Sequence, residues 1–254
     1  MAAATRPRRS RANWLAPTLV VVVLLAAWEL IVRAGAVDPL LLPAPTSVVK
    51  SLWTDRSLLF DDLLTTTYEV VIGLVVSLIL GAGLAVIMHL SPPVDRALRP
   101  LVIGSQAVPI PVIAPLFVFV LGFGLAPKVL IVALVCFFPV TINVYDGLRD
   151  SDPDARKLLR SLDANRWQRL RFLEAPSALP SAFTGAKIAA AVSVIGAVFG
   201  ERSGSDKGLG HRLVTANAGL ATARLFAATL LLFAMAIGLY AVFAALERRV
   251  VDWR

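Results

Sequence analysis

Six mostly apolar stretches dominate this chain, running from Trp14 to Val32, Tyr68 to His89, Leu101 to Leu121, Lys128 to Tyr145, Ala182 to Phe199 and Leu225 to Leu246. A helix rises about 1.5 Å per residue, so roughly 20 apolar residues cross the hydrocarbon core of a bilayer. Each stretch reaches or approaches that length. Backbone N–H and C=O groups find no water there, so such stretches are expected as helices. Composition agrees: 57% of the 254 residues are hydrophobic and only 17% are charged, where a soluble domain carries about a quarter. That balance excludes a water-soluble globule and a disordered chain. The single cysteine, Cys136, excludes a disulfide framework. The expected fold class is an all-α integral membrane protein with six transmembrane helices.

The cations orient the spans. Arg6, Arg8, Arg9 and Arg11 precede the first stretch, which is longer than a usual signal core and lacks a small-residue cleavage site, so it is read as a retained span. With the N-terminus inside, sixteen of the 25 Lys and Arg residues fall on the cytoplasmic side, eight fall outside and Lys187 lies within the fifth span. This positive-inside bias predicts an N-in/C-in protein. It gives residues 1–13 as a basic cytoplasmic tail, 14–249 as the transmembrane domain and 250–254 as a second tail. The formal charge of +8 is thus mostly topology, and no nucleic-acid partner is expected.

The connecting segments carry more information. Leu41 to Ser47 reads as an extended turn into a short helix, capped by Thr46 or Ser47, with Val48, Val49, Leu52 and Trp53 on its apolar face. Pro109, Pro111 and Pro115, preceded by Gln106, interrupt the third span. The carbonyls they free need partners, through either a packing kink or a hydrated path. From 150 to 176, Asp152-Pro153-Asp154 starts a helix carrying Leu158, Leu159 and Leu162. Asp163-Ala164-Asn165 interrupts it, and a second short helix through Trp167, Leu170 and Leu173 ends near Pro176. Alternating leucine and arginine suits either anionic lipid or a docking surface for a cytoplasmic protein.

The segment from Lys157 to Pro176 resembles the cytoplasmic EAA loop of ABC-importer permeases. Aligned on Ser161-Leu162-Asp163-Ala164, the family's Glu-Ala-Ala triplet falls on Lys157-Leu158-Leu159, its glycine on Asp163 and its Ile-any-Leu-Pro tail on Leu173-Glu174-Ala175-Pro176. Both the acidic residue and the glycine are replaced. Leu42-Pro43-Ala44-Pro45, Gly122-Phe123-Gly124, Asp146-Gly147-Leu148, Leu179 through Gly185, and Gly200-Glu201 followed by Lys207-Gly208-Leu209-Gly210 resemble the nitrate/sulfonate/taurine branch. That branch also includes importers of thiamine pyrimidine precursors and riboflavin. The resemblance covers Trp28 to Glu247. It implies a type I ABC-importer permease fold with cytoplasmic coupling helices, in a bacterial plasma membrane. Its implied partners are a second permease copy, a cytoplasmic ABC ATPase dimer, an extracytoplasmic substrate-binding protein and membrane lipid. No G-x-x-x-x-G-K-[ST] phosphate loop occurs, so no cofactor is expected in this chain, and ATP and Mg belong to the partner ATPase.

The resemblance and the residues together nominate sites. The ATPase-coupling ridge is Leu158, Leu159, Arg160, Leu162, Asp163, Ala164 and Arg166, apolar residues filling a groove and arginines meeting an acidic rim. Asp tolerates the left-handed backbone region better than most residues, so the turn survives at Asp163. The translocation path or gate is assigned to Gln106, Pro109, Asn143, Ser193 and Glu201, with Glu69 and Lys187 as further candidates. Lys187 is favoured as a structural residue, and His89 as an interface residue. Gly196 and Gly200 form a small-residue face expected at the dimer axis. Cys136 is a small apolar filler. No metal site and no catalytic residues are expected. The alternatives are a stand-alone secondary transporter and a membrane-embedded enzyme. The latter needs paired carboxylates, a Ser/His pair or metal ligands at membrane depth, and none is found. No arginine lies deep in a span to receive an oxyanion, which leans the substrate towards a vitamin or pyrimidine precursor rather than sulfonate, taurine or nitrate.

Overall fold

The computed structural model describes residues 15–252. The basic tail at 1–13, the start of the first predicted span at Trp14 and the last two residues lie outside them. The described residues form helices and short connections, without strands. In order these are α1 (Leu15–Arg33), α2 (Pro45–Thr54), α3 (Arg56–Leu90), α4 (Pro92–Gly104), α5 (Ile110–Leu121), α6 (Leu125–Arg149), α7 (Pro153–Ser161), α8 (Arg166–Arg169), α9 (Ala175–Gly204), α10 (Leu209–Ala218) and α11 (Thr222–Val250).

Among the described residues four helical stretches are long and apolar enough to cross a membrane, or five if a bent pair counts as one span. The four are Arg56–Leu90, Leu125–Arg149, Arg166–Gly204 and Thr222–Val250. All outrun the expected limits. α3 starts twelve residues before Tyr68, because its polar first turns find partners inside the protein, as described below. The bent pair corrects the third expected span, which is no continuous helix. α4 and a short 3₁₀ turn at Ser105–Ala107 meet α5 at 101°. The cause is proline chemistry: Pro109 stands at the N-cap of α5 in extended backbone, and Pro111 occupies its first turn.

The second short helix of the 150–176 segment does not end near Pro176. α8 passes through a π-helical turn at Leu170–Glu174 directly into α9, giving 39 continuous residues. Pro176 lies in the first turn of α9, and Pro180 is accommodated within it. α2 forms as expected, but its N-cap is Ala44 with Pro45 in the first turn. Thr46 turns instead to Glu29, which accepts from the Thr46 backbone N–H at 3.1 Å and its hydroxyl at 2.8 Å.

The chain divides into two compact units, one holding residues up to 56 with 216–227, the other 57–215 with 228 onward. In the first, Arg224 makes a bidentate contact with Asp55, and Thr222 donates to the Leu40 carbonyl at 2.6 Å. In the second, α6 is packed by α3 and α9. Val70 and Leu74 of α3, Val132, Cys136 and Val140 of α6, and Ala189, Ala190 and Ala197 of α9 share one buried core. Leu230, Phe233, Ile237 and Tyr240 of α11 are exposed, as are Ile79, Leu80 and Ile87 of α3. Exposed apolar surface on this scale marks a face covered by lipid or protein.

Candidate functional site

A cleft of about 470 Å³ opens where the α4–α5 break, α6 and α9 meet. Its walls are apolar, with Val108, Leu134, Phe138, Val192 and Ile195 among them. Its polar groups are few: Ser105, Gln106 and Asn143. Asn143 Nδ2 donates to the Pro139 carbonyl at 2.7 Å, which fixes the amide. Pro139 has no N–H, so the Val135 carbonyl one turn earlier loses its helical donor. Both residues line the cleft, and no charged side chain is among its lining residues.

Of the five expected path residues, the structure brings Gln106 and Asn143 into this cleft. Pro109 sits exposed at the helix break beside it. Ser193 does not reach it: fully buried, it bonds the Ala190 carbonyl within its own helix. Glu201 does not reach it either. It is 1% exposed, and its carboxylate accepts from the Thr66 hydroxyl at 2.6 Å and from the Gly210 backbone N–H.

Glu201 belongs to a buried ionic network that sequence reasoning missed. Asp62 accepts from the Gly208 N–H at 2.9 Å and from Arg212 Nε at 2.7 Å. Thr66 Oγ1 accepts from the Leu209 N–H at 2.9 Å. Lys128 Nζ donates to Glu69 Oε1 at 2.7 Å and to Ser205 Oγ at 2.6 Å. The Gly208-Leu209-Gly210 run is therefore a backbone that closes over carboxylates. A Cβ at Gly208, whose φ is +105°, would fall 2.3 Å from Glu201 Cδ. The signal available in sequence was Asp62, Thr66 and Glu69 at helical spacing ahead of an apolar run.

In the 150–176 segment, Leu158 and Leu162 are 61% and 68% exposed. Arg160, Asp163 and Arg166 are exposed too, while Leu159 and Ala164 are half-buried. Asp163 has φ +55°, and the Asp163 N–H bonds the Arg160 carbonyl as the Ala164 N–H bonds Leu159. This is a Schellman ending, with Asp163 at the position that glycine usually fills. Asp152 caps α7 through the Asp154 N–H, and Asn165 with Gln168 forms a capping box at α8. The segment is fastened from behind. Arg166 donates to the Leu90 carbonyl at 2.9 Å, and buried Glu174 lies 2.8 Å from His89 Nε2 and 3.4 Å from Arg156 Nε. The tie made by His89 and Glu174 is a second feature that sequence reasoning missed.

Gly196 and Gly200 face α6 of the same chain. A Cβ at Gly196 would sit 2.8 Å from Val132 Cα, and one at Gly200 would sit 3.2 Å from Lys128 Cα. The close approach they permit is thus to α6 of the same chain. Lys187 pairs with Glu247 at 2.7 Å. Cys136 is fully buried against the Ala189 carbonyl. Among the described residues no group of three or more His, Cys, Asp or Glu is placed to hold a metal ion.

Residues 73–252 match the family model described as binding-protein-dependent transport system inner membrane component. The chain belongs to that family. The match takes in the cleft, the 150–176 segment and most of the buried network. Among its relatives, the formylaminopyrimidine transport permease protein ThiX of Halalkalibacterium halodurans is 36% identical, across 94% of this chain and 96% of the relative. The riboflavin transport system permease protein RibX of Chloroflexus aurantiacus is 35% identical, across 91% and 87%. The putative aliphatic sulfonates transport permease protein SsuC of Bacillus subtilis is 30% identical, across 98% and 91%. A solved structure of the MetNI methionine ABC transporter shares the fold with a TM-score of 0.64 at 17% identity, covering 79% of this chain and 98% of its own. This inner-membrane permease is accordingly a multi-pass subunit of an ABC importer and not an enzyme. Membership also sets aside the membrane-embedded enzyme and the stand-alone secondary transporter.

Proposed function

We propose that this permease works as a homodimer of six-span, N-in/C-in subunits that opens its path alternately to the two sides of the membrane. α1, 19 residues long, supplies the sixth span beside the four long stretches and the bent pair. A cytoplasmic ATPase dimer, holding ATP and Mg, docks on Leu158, Leu159, Arg160, Leu162, Asp163, Ala164 and Arg166, while an extracytoplasmic binding protein delivers the solute. Support for the docking site comes from two leucines standing exposed on a ridge fixed by caps at both helix starts and a Schellman turn. Because α8 continues into α9, force on that ridge passes through the turn at 163–165 into one unbroken helix that reaches the cleft wall. Replacing Leu162 by Glu is expected to leave the permease membrane-inserted while abolishing copurification of the ATPase. Normal pull-down by that variant would sink the assignment.

The solute is a small, weakly charged heterocycle of the vitamin or pyrimidine-precursor class. The observation that carries this reading is an apolar cleft whose polar lining is Ser105, Gln106 and Asn143, without a charged side chain. An oxyanion would leave its charge unpaired there. Among the relatives, those named for formylaminopyrimidine and riboflavin fit this chemistry, and the one named for sulfonates does not. Uptake of labelled formylaminopyrimidine, riboflavin and taurine by membranes containing the full complex tests it. Transport of taurine alone overturns it.

A further inference from the structure

The buried network around Glu201 carries a charge imbalance. Its carboxylates are Asp62, Glu69 and Glu201, against the two cations Lys128 and Arg212. Asp62 is matched by Arg212 and Glu69 by Lys128, which leaves Glu201 without a counter-ion. Glu69 is 2% exposed and Glu201 1%. An unmatched carboxylate is costly at that depth, and the network must acquire a positive charge or lose a negative one.

The geometry says where. Glu69 Oε2 is buried and has no hydrogen-bond partner, and the structure brings the two carboxyls into one cluster: Thr66, one turn before Glu69 on α3, donates to Glu201 Oε1, while Lys128, which donates to Glu69, packs against Gly200, the residue before Glu201. Two carboxylates cannot bond without a hydrogen between them. One proton removes the unmatched charge and satisfies the orphan oxygen together. A metal ion is the weaker solution, because no three His, Cys, Asp or Glu side chains converge among the described residues.

We infer that Glu69 and Glu201 hold one proton between them, as a carboxylic acid–carboxylate hydrogen bond linking α3 to α9. The remaining groups facing the pair are fixed by the structure. Asp62 and Thr66 come from α3, Lys128 from α6, Arg212 from α10 and Ser205 from the intervening loop. His211 and Asp206 line a separate pocket together with Lys128 and Ser205. Glu201 also accepts from the Gly210 N–H and the Thr66 hydroxyl, so the shared proton ties the Gly208–Gly210 backbone, through Glu201, to Glu69 on α3.

Infrared spectroscopy of the full-length permease in lipid nanodiscs tests this without knowledge of the transported solute. At neutral pH the wild type is expected to show the carbonyl stretch of a protonated carboxyl, shifting on exchange into D₂O. Glu201→Gln is expected to lose that band. Its amide N–H gives Glu69 Oε2 the same donor, and two carboxylates then face two cations. Glu69→Gln balances the charges in the same way and is expected to lose the band too, while Glu174→Gln, outside the network, keeps it. The inference is overturned by a wild type without the band. It is equally overturned by a band that survives in both Glu201→Gln and Glu69→Gln, or by stabilisation with sodium or potassium in a wild type lacking the band.

Discussion

Asp163 occupies a backbone conformation that costs an ordinary L-residue about 1–2 kcal/mol, yet it ends α7 with both Schellman hydrogen bonds made. Short polar side chains bear this region best, which is why the turn was legible in the sequence even though the family's glycine is missing. Asp163→Gly should therefore keep the turn and slow amide exchange at Ala164, whereas Asp163→Val should weaken it by about 1–2 kcal/mol, and exchange there should quicken several-fold. Equal exchange in the two variants would show that the turn does not depend on this angle. Other residues were far less legible. Glu201 follows a glycine at the end of an apolar run, which reads equally as cap, gate or partner contact. Its neighbours, Thr66 and the Gly210 N–H, lie 135 and nine positions away. Pairing across such a separation leaves no local trace. Glu174 was hidden differently, within a motif where its flanking residues attract the alignment.

The helices show what apolar length can reveal and what it cannot. All long helices were found, but each extends past its apolar run, because polar residues at the ends are paired inside the protein. Asp62 and Thr66 fall outside the apolar run expected from Tyr68, and they join α3, with Arg212, Glu201 and the Gly208–Leu209 amides satisfying them. The proline break in the third span was readable, since a missing N–H is a local fact; its 101° angle depends on packing. Small residues were noticed, but the helix they serve was not, because composition does not say what approaches. Gly196 admits α6 so closely that a side chain would strike the Val132 backbone, which cannot rotate away. Gly196→Val should thus cost at least about 1–3 kcal/mol and lower the thermal midpoint in detergent. Gly83→Ala, at a helical position with nothing within 4 Å, should be neutral or stabilising by up to about 1 kcal/mol. Similar midpoints for the two variants would contradict a tight α6–α9 contact.

At the scale of the whole molecule, the surplus of apolar residues and the surplus of cations answer different questions. Exposed Ile79, Leu80, Phe233 and Ile237 call for lipid or a partner, but say nothing of which end faces the cytoplasm. The cations do, and their uneven distribution is the basis for placing the 150–176 segment inside and the 205–210 loop outside. With Cys136 replaced by alanine, a single cysteine at Asp206 should react with a membrane-impermeant maleimide in intact cells stripped of their outer envelope. One at Asp154, equally exposed on α7, should react only after permeabilisation. The opposite pattern would invert the topology and leave the Leu158–Leu162 ridge facing away from any cytoplasmic ATPase. Labelling of both in intact cells would mean that an even number of spans lies between the two sites, and would remove α9 from the set of crossing helices. Because α9 forms the cleft wall and continues α8, which follows directly on the ridge, this one experiment bears on the path and the coupling surface together.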